Sequence, residues 1–379
     1  MRLYEFQAKR LFAGAGIPVP RSTYFNLPEQ ASNLEFPVIL KAQVPIGGRG
    51  KAGGIRVARD RAEAEEIAAE LLGCEIQGHT VGALLAEAMT EVQREIYVAV
   101  LFDKGTNQVM LVGSAEGGVD IEQVAKVSPE KIVKKTLHPF LGLPQFVMRY
   151  VARELGVKEP RQFGAILKAM YELLWTHDAT LVEINPLAET PEGLLALDAK
   201  MTLDDKAAYR HATLFADLAR EHKELEQGKE TLAEKLAEER DITYVLLDGD
   251  VGLIADGAGT GMLTLDLIQD AGGHPANFCE MGGLASPEVM CQAIEVVLAN
   301  PNVRALLITL IGGLTRMDEM ADGIVQYAKS HEFTVPIVIR MAGTQEEVGK
   351  ATLKRAGFET FDDLPGAVES VVDLAKAGA

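Results

Sequence analysis

The chain is short of cysteine, short of basic charge and without a long apolar run, and each shortage excludes something. Three cysteines in 379 residues, Cys74, Cys279 and Cys291, are too few and too scattered for a disulfide framework or a zinc site, so they read as inert buried thiols. Lysine and arginine number 37 against 55 acidic residues, a formal net charge of −18. Nucleic-acid binding asks for a large basic face, so DNA and RNA are excluded as partners, and an anionic membrane surface is disfavoured. No apolar stretch reaches the ~20 residues of a membrane span. The N-terminal "MRLYEFQAKRLFAGAG" alternates polar and apolar residues at helical spacing and lacks the apolar core of a signal peptide. The expectation is a protein of the reducing cytoplasm with no membrane partner. No P-loop occurs, since no G-x-x-x-x-G-K-[ST] is present.

What is present divides in two. A chain of this length is expected to form two domains of about 150 to 230 residues. Residues 1–225 mix strands and helices in an α+β manner: "FPVIL" reads as a short buried strand, and "REIYVAVLFDKGTNQVMLVGSA" as a strand pair turning at Lys104–Asn107. Residues 160–177 carry apolar positions at helical spacing, and "ATLVEINPLAETPEGLLALDAKMTL" reads as two antiparallel strands around Thr190–Gly193. Residues 214–240 are rich in Glu, Lys, Leu and Ala, but the apolar stripe is thin and Gly228 interrupts it, so a solvated connecting segment is expected. The domains are accordingly set at 1–225 and 241–379, joined by a connecting helix or linker over 226–240. Beyond the linker, strand-like runs alternate with helical runs starting near Thr260, Pro287, Met317, Glu346 and Gly366. That alternation is the pattern of a doubly wound parallel sheet, an α/β architecture.

Three constellations could carry chemistry. "KAQVPIGGRGKAGG", residues 41–54, follows a strand with five glycines and the cations Lys41, Arg49 and Lys51. Exposed backbone N–H groups and cations make an anion cradle, and phosphate is the usual anion; a solvated hairpin is the alternative, and composition leaves both open. "VEINPL" places Glu183 and Asn185 two apart on one strand face, with Asp198 expected in the partner strand. Such oxygens suit magnesium together with phosphate, or form a cross-strand polar pair. Glu87 and Glu95 flank a turn, where they read as ribose or adenine contacts or as surface charge. In the second domain "DGAGTG", "EMGGLASPEV" and "LIGGLTR" each bring a helix N-terminus to one sheet edge, with Ser286 as N-cap and Pro287 at the first helical position.

In chain order, "YEFQAKRLFAGAGIPVP", "KAQVPIGGRGKAGG", "EGGVDIEQVA", "EINPL", "DGAG", "HPANFCEMGG" and "IGGLTRMDEMADGI" resemble the β subunit of succinyl-CoA synthetase across nearly the whole chain. The resemblance implies an ATP-grasp domain followed by a flavodoxin-like CoA-ligase domain. It implies an α-subunit partner that carries a phosphohistidine and most of the CoA site. Lys41, Gly48, Arg49, Gly50, Glu87, Thr90 and Glu95 become contacts for ATP or GTP, and Asn185 and Asp198 ligands for Mg2+. Glu183 becomes the catalytic acid that orients the partner's histidine. Asp256, Gly312, Gly313 and Leu314 become contacts for a small-molecule carboxylate.

The departures from the family pattern gather at that carboxylate site. Asp256 stands where the family has Asn, Leu284 where it has Gly, and Thr309 where it has Asn. The implied activity is acid + CoA + NTP ⇌ acyl-CoA + NDP + phosphate, with succinate as the acid. Malate or citrate on the same chemistry is the first rival, and a non-catalytic nucleotide-binding subunit the second.

Overall fold

Apolar periodicity in the first unit produces two larger antiparallel sheets with helices against them, besides one short two-stranded pair. The computed structural model describes residues 1–138, 140–225, 231–283 and 285–377, in two units, Met1–Gln227 and Gly228–Ala379. In chain order the first unit carries α1 (Glu5–Gly14), β1 (Ser22–Phe25), β2 (Val38–Ala42), β3 (Ile55–Ala58), α2 (Arg61–Leu71), β4 (Glu75–Ile76), β5 (His79–Thr80) and β6 (Leu84–Ala88). Then come β7 (Arg94–Asp103), β8 (Gln108–Ser114), α3 (Ile121–Val127), β9 (Ile132–Leu137), α4 (Gln145–Glu154) and α5 (Pro160–Thr176). The unit ends with β10 (Ala179–Thr190), β11 (Gly193–Ala196), β12 (Lys200–Leu203) and α6 (Ala212–Leu225). One sheet runs β1-β6-β2-β3; the other runs β11-β10-β7-β8-β9, with β12 also on β10. Proline opens α5, whose stripe Phe163, Ile166, Leu167, Met170 and Leu174 packs with Val98, Val182 and Ile184 in the main core.

Two expectations change here. The hairpin around Thr190–Gly193 has three strands, because β10 is long enough to pair with β11 through 187–190 and with β12 through 179–183. Asp198 therefore lies in the 197–199 link between β11 and β12, not in a partner strand. Two helices flank the expected linker rather than a uniformly solvated stretch: α6 buries Phe215, Leu218 and Leu225, and α7 (Leu232–Glu239) buries Ala233 and Ala237. A reciprocal cap starts α7, with Thr231 N donating to Glu234 at 2.8 Å and Glu234 N to Thr231 Oγ1 at 3.2 Å. Residues 226–230 of the expected linker, and Leu284, lie outside the described residues.

After α7 the second unit follows as β13 (Thr243–Leu246), β14 (Val251–Ala255), α8 (Ala258–Asp270), β15 (Asn277–Glu280), α9 (Pro287–Leu298) and β16 (Ala305–Gly312). It closes with α10 (Met317–Ser330), β17 (Ile337–Gly343), α11 (Glu346–Arg355), β18 (Thr360–Phe361) and α12 (Leu364–Ala377). The sheet runs β13-β15-β14-β16-β17-β18, parallel except for β13, which lies antiparallel on the edge. Its parallel strands, counted in chain order, stand 2-1-3-4-5, the flavodoxin order. The switch point falls between β14 and β16, where such sheets bind ligands beyond their strand ends. One sheet face packs with α9 and α10, the other with α8 and α12.

Candidate functional site

The glycine-rich stretch joins β2 to β3, which pair antiparallel. Short turns close it: Lys51 N donates to Gly48 O at 3.1 Å and Gly54 N to Arg49 O at 2.9 Å. Gly48 stands at φ 78°, which a side chain would strain. Gly48 and Gly50 are exposed, yet Arg49 between them turns inward and is buried. Its Nη1 donates to Ala42 O at 3.2 Å, and its Nη2 lies 2.9 Å from Glu5 and 3.0 Å from Asp198. Lys41, on β2, has Nζ 3.0 Å from Glu5, 2.7 Å from Glu87 on β6 and 2.6 Å from Leu197 O. Lys9, one helical turn beyond Glu5 on α1, meets the same groups: Glu5 at 2.8 Å, Leu197 O at 2.7 Å, and Glu87. Lysine 9, Lys41 and Arg49 thus face Glu5, Glu87 and Asp198 in a charge-balanced cluster.

Burial pushes the Glu5 carboxyl up, but Lys9, Arg49 and Lys41 together outweigh it and hold it well below the carboxylate range. Asp198 goes the other way: burial first, then Glu5, raise it against the pull of Arg49 and Lys41. Its side chain keeps 37% of its surface open, so water tempers that rise. Lys41 and Arg49 are lowered by burial and raised further by their carboxylates, so both stay charged. A cavity of about 40 Å³ beside the cluster, lined among others by Arg2, Glu5, Arg49, Asp198 and Lys200, has room for water and not for a nucleotide.

Glu183 pairs across β10 with Ala99 of β7 and with Lys200 of β12, whose Nζ is 3.7 Å away. Burial raises its carboxyl, Lys200 opposes, and Asp198 adds to the rise. Tyr97 lies on the same face of β7, and burial and the Glu183 carboxylate push its phenol up. Asn185 Oδ1 accepts Gly118 N–H at 2.8 Å while its Nδ2 donates to Val119 O at 3.0 Å, tying β10 to the "EGGVD" turn. Glu95 shares the β7 face with Tyr97, and a Cβ on Gly118 would stand 2.2 Å from its carboxylate. Thr90 is half-buried in the 89–93 link. Asn185 and Asp198 supply a neutral and an anionic hard oxygen, the donor types that magnesium takes alongside phosphate. Among the described residues no three His, Cys, Asp or Glu groups are arranged to hold a metal by themselves.

In the second unit Asp256 follows β14 at the switch point. Its Oδ2 accepts Ile311 N–H of β16 at 2.9 Å, and its Oδ1 is buried with no partner among the described residues. Burial raises its pKa, with the Ile311 N–H opposing. A Cβ on Gly312 would stand 2.2 Å from Thr315 O, so the chain turns there only with glycine. Thr344 braces the loop, its N donating to Gly312 O at 3.0 Å and its Oγ1 to Gly313 O at 2.9 Å. Leu314 is 77% exposed. Thr309 is fully buried in β16, and its Oγ1 has no partner among the described residues.

Sequence reasoning missed Glu5, Lys9, Tyr97 and Lys200. Glu5 and Lys9 form an i, i+4 acid–base pair, which reads as a solvated helix face. Tyr97 and Lys200 are visible only through the register of β7, β10 and β12.

Residues 2–189 match a family model described as an ATP-grasp domain, and residues 254–372 one described as CoA-ligase. An ADP-forming succinate–CoA ligase β subunit from Ignicoccus hospitalis is 43% identical over 383 residues, covering 100% of both chains. One from Chloroflexus aurantiacus is 43% identical over 384 residues, covering 99% of each. Among solved structures, an ATP citrate lyase from Methanothrix soehngenii in complex with citrate and coenzyme A has a TM-score of 0.75 at 20% identity, over 98% of this chain and 99% of that one. At that identity the likeness speaks for the fold.

Proposed function

Because the chain belongs to the succinate–CoA ligase β-subunit family, we propose that it works with an α subunit to join succinate to CoA: succinate + CoA + ATP ⇌ succinyl-CoA + ADP + phosphate. It is the β subunit of a nucleotide-dependent acid–CoA ligase. The ADP-forming activity named for its relatives supports ATP over GTP. The observation that carries the reading is the convergence of Lys41, Arg49, Glu87 and Asp198 on one point of the ATP-grasp region.

In this reading Lys41 and Arg49 take the phosphates, while Gly48 and Gly50 let the backbone lie close to them. Glu87, Thr90 and Glu95 complete the nucleotide contacts. Asn185 and Asp198 would hold magnesium, which when bound neutralises charge on the phosphates. Glu183, raised by burial, orients the histidine of the α subunit while that residue exchanges phosphate with the nucleotide. The second unit receives the succinate carboxylate at Gly312, Gly313 and Leu314, with Asp256 beside them. The phosphohistidine passes its phosphoryl group to that carboxylate, freeing the histidine and forming an acyl phosphate, and the thiol of CoA, held mainly by the α subunit, displaces inorganic phosphate from it.

The test is co-expression with the cognate α subunit and assay of acyl-CoA formation from succinate, malate and citrate. Succinyl-CoA should predominate; nucleotide binding without any acyl-CoA would leave only a binding subunit. Lys41→Ala should weaken nucleotide binding by roughly 1.5 to 3 kcal/mol, the worth of a charge-assisted hydrogen bond, and unchanged affinity by calorimetry would remove the phosphate assignment.

A further inference from the structure

We propose that Lys9 is a positioning residue, the resident counter-ion of Glu5 and Glu87 that frees Lys41 and Arg49 to take nucleotide phosphates. The inference rests on the phosphate assignment made above. An ammonium has three N–H donors. In Lys41 they meet Glu5, Glu87 and Leu197 O, so none is left for a phosphate oxygen. A nucleotide reaches Lys41 only if one of these contacts is given up. Giving up a buried carboxylate is strongly unfavourable when no other cation faces it.

Lys9 removes that obstacle by duplication. It already touches Glu5, Glu87 and Leu197 O, so all three stay partnered when Lys41 turns away. Arg49 is placed in the same way, since it shares Glu5 with both lysines. Its other carboxylate, Asp198, is the proposed metal ligand, so an arriving magnesium–nucleotide complex releases Arg49 from that side as well. Lys9 itself stays behind. It is buried on α1, and its neighbours Ala8 and Phe12 are anchored in the main core.

Charge counting gives the test a sign. With Lys9 removed, Glu5, Glu87 and Asp198 outnumber Lys41 and Arg49, and Lys41 becomes the sole bridge between Glu5 and Glu87. Affinity for ADP with magnesium is measured by calorimetry on the full chain purified with its α subunit. Lys9→Met should bind roughly tenfold more weakly, with KM moving more than kcat. Adding Glu5→Gln removes one of the surplus carboxylates, so the double variant should recover affinity toward wild type. A merely structural lysine predicts the opposite, because two defects in one packed cluster then compound. A double variant that binds no better than Lys9→Met overturns the proposal. Should Lys9→Met not purify, Glu5→Gln alone decides: it should bind ADP more tightly than wild type, and equal or weaker binding overturns the proposal. Lys41→Ala separates the two readings. If it leaves affinity unchanged, the phosphate assignment fails; if it weakens binding while the double variant shows no recovery, only the role of Lys9 fails.

Discussion

Glu183 is a carboxyl whose surroundings oppose its ionisation. Burial raises its pKa, Asp198 adds to the rise, and Lys200 offsets only part of it. To pair with an imidazolium by charge Glu183 must be ionised, so its raised pKa moves the acid limb of the reaction upward. Phosphorylation of the α subunit should fall as pH drops, starting above the ordinary glutamate range of about 4.3. Glu183→Gln should slow that step by about 10²-fold, the lower end of what a positioned acid or base contributes, and should lose the acid limb. Single-turnover labelling of the α subunit from labelled ATP, run across the acid range, reads both effects. An unchanged pH profile in the glutamine variant would assign the limb to another group. Tyr97 stands on the face of β7 that Glu183 meets, and that carboxylate helps push its phenol up.

Strand ends set the second candidate site, and Asp256 tests what an end of this kind tolerates. It links β14 to β16 through Ile311 N–H, with its other oxygen buried and without a partner among the described residues. Burial raises its folded-state pKa above the unfolded value of about 3.9. The stability gained from the neutral acid is therefore complete below that unfolded value and is lost as pH rises through the folded one. Asp256→Asn keeps an oxygen for Ile311 and removes the charge, so its stability relative to wild type should increase from about pH 4 to 7. Thermal unfolding at several pH values measures this, and a gap independent of pH would mean that Asp256 is not buried as the acid. Helix starts near such ends were legible, because Pro287, Met317 and Glu346 follow strand-ending turns and Ser286 caps from its side chain. The position of Asp198 was not, since it depends on β10 being long enough to serve two partners. Nor was the burial on α6 or the start of α7, whose capping box at Thr231 lies within a charge-rich run. The basic glycine stretch announced itself by composition, but the inward turn of Arg49 depends on α1 bringing Glu5 to it.

At the scale of the molecule, the question is whether one chain can complete the reaction. It has seven histidines, and none is a partner of the Lys9, Lys41, Arg49, Glu5, Glu87 or Asp198 side chains in any bond described above. Those with described contacts are engaged elsewhere: His211 with Asp178 at 2.8 Å, His222 with Gln7 at 3.0 Å, and His331 stacked on Tyr327. His177 follows the C-terminal end of α5 and lies stacked against His211. Cysteine offers no substitute, because burial pushes the thiols of Cys74, Cys279 and Cys291 up and keeps them protonated. Among the described residues no histidine or cysteine is bonded to that cluster, so under the proposed assignment of phosphate to Lys41 and Arg49 the phosphate carrier is expected on the α subunit. The purified chain incubated with labelled ATP and magnesium should bind nucleotide and remain unlabelled. Addition of the α subunit should place the label on that subunit, acid-labile as a phosphohistidine is, and acyl-CoA should appear only when both subunits, succinate and CoA are present. Acid-labile phosphate accumulating on this chain alone would show that it carries its own nucleophile, and the division of labour between the subunits would have to be redrawn.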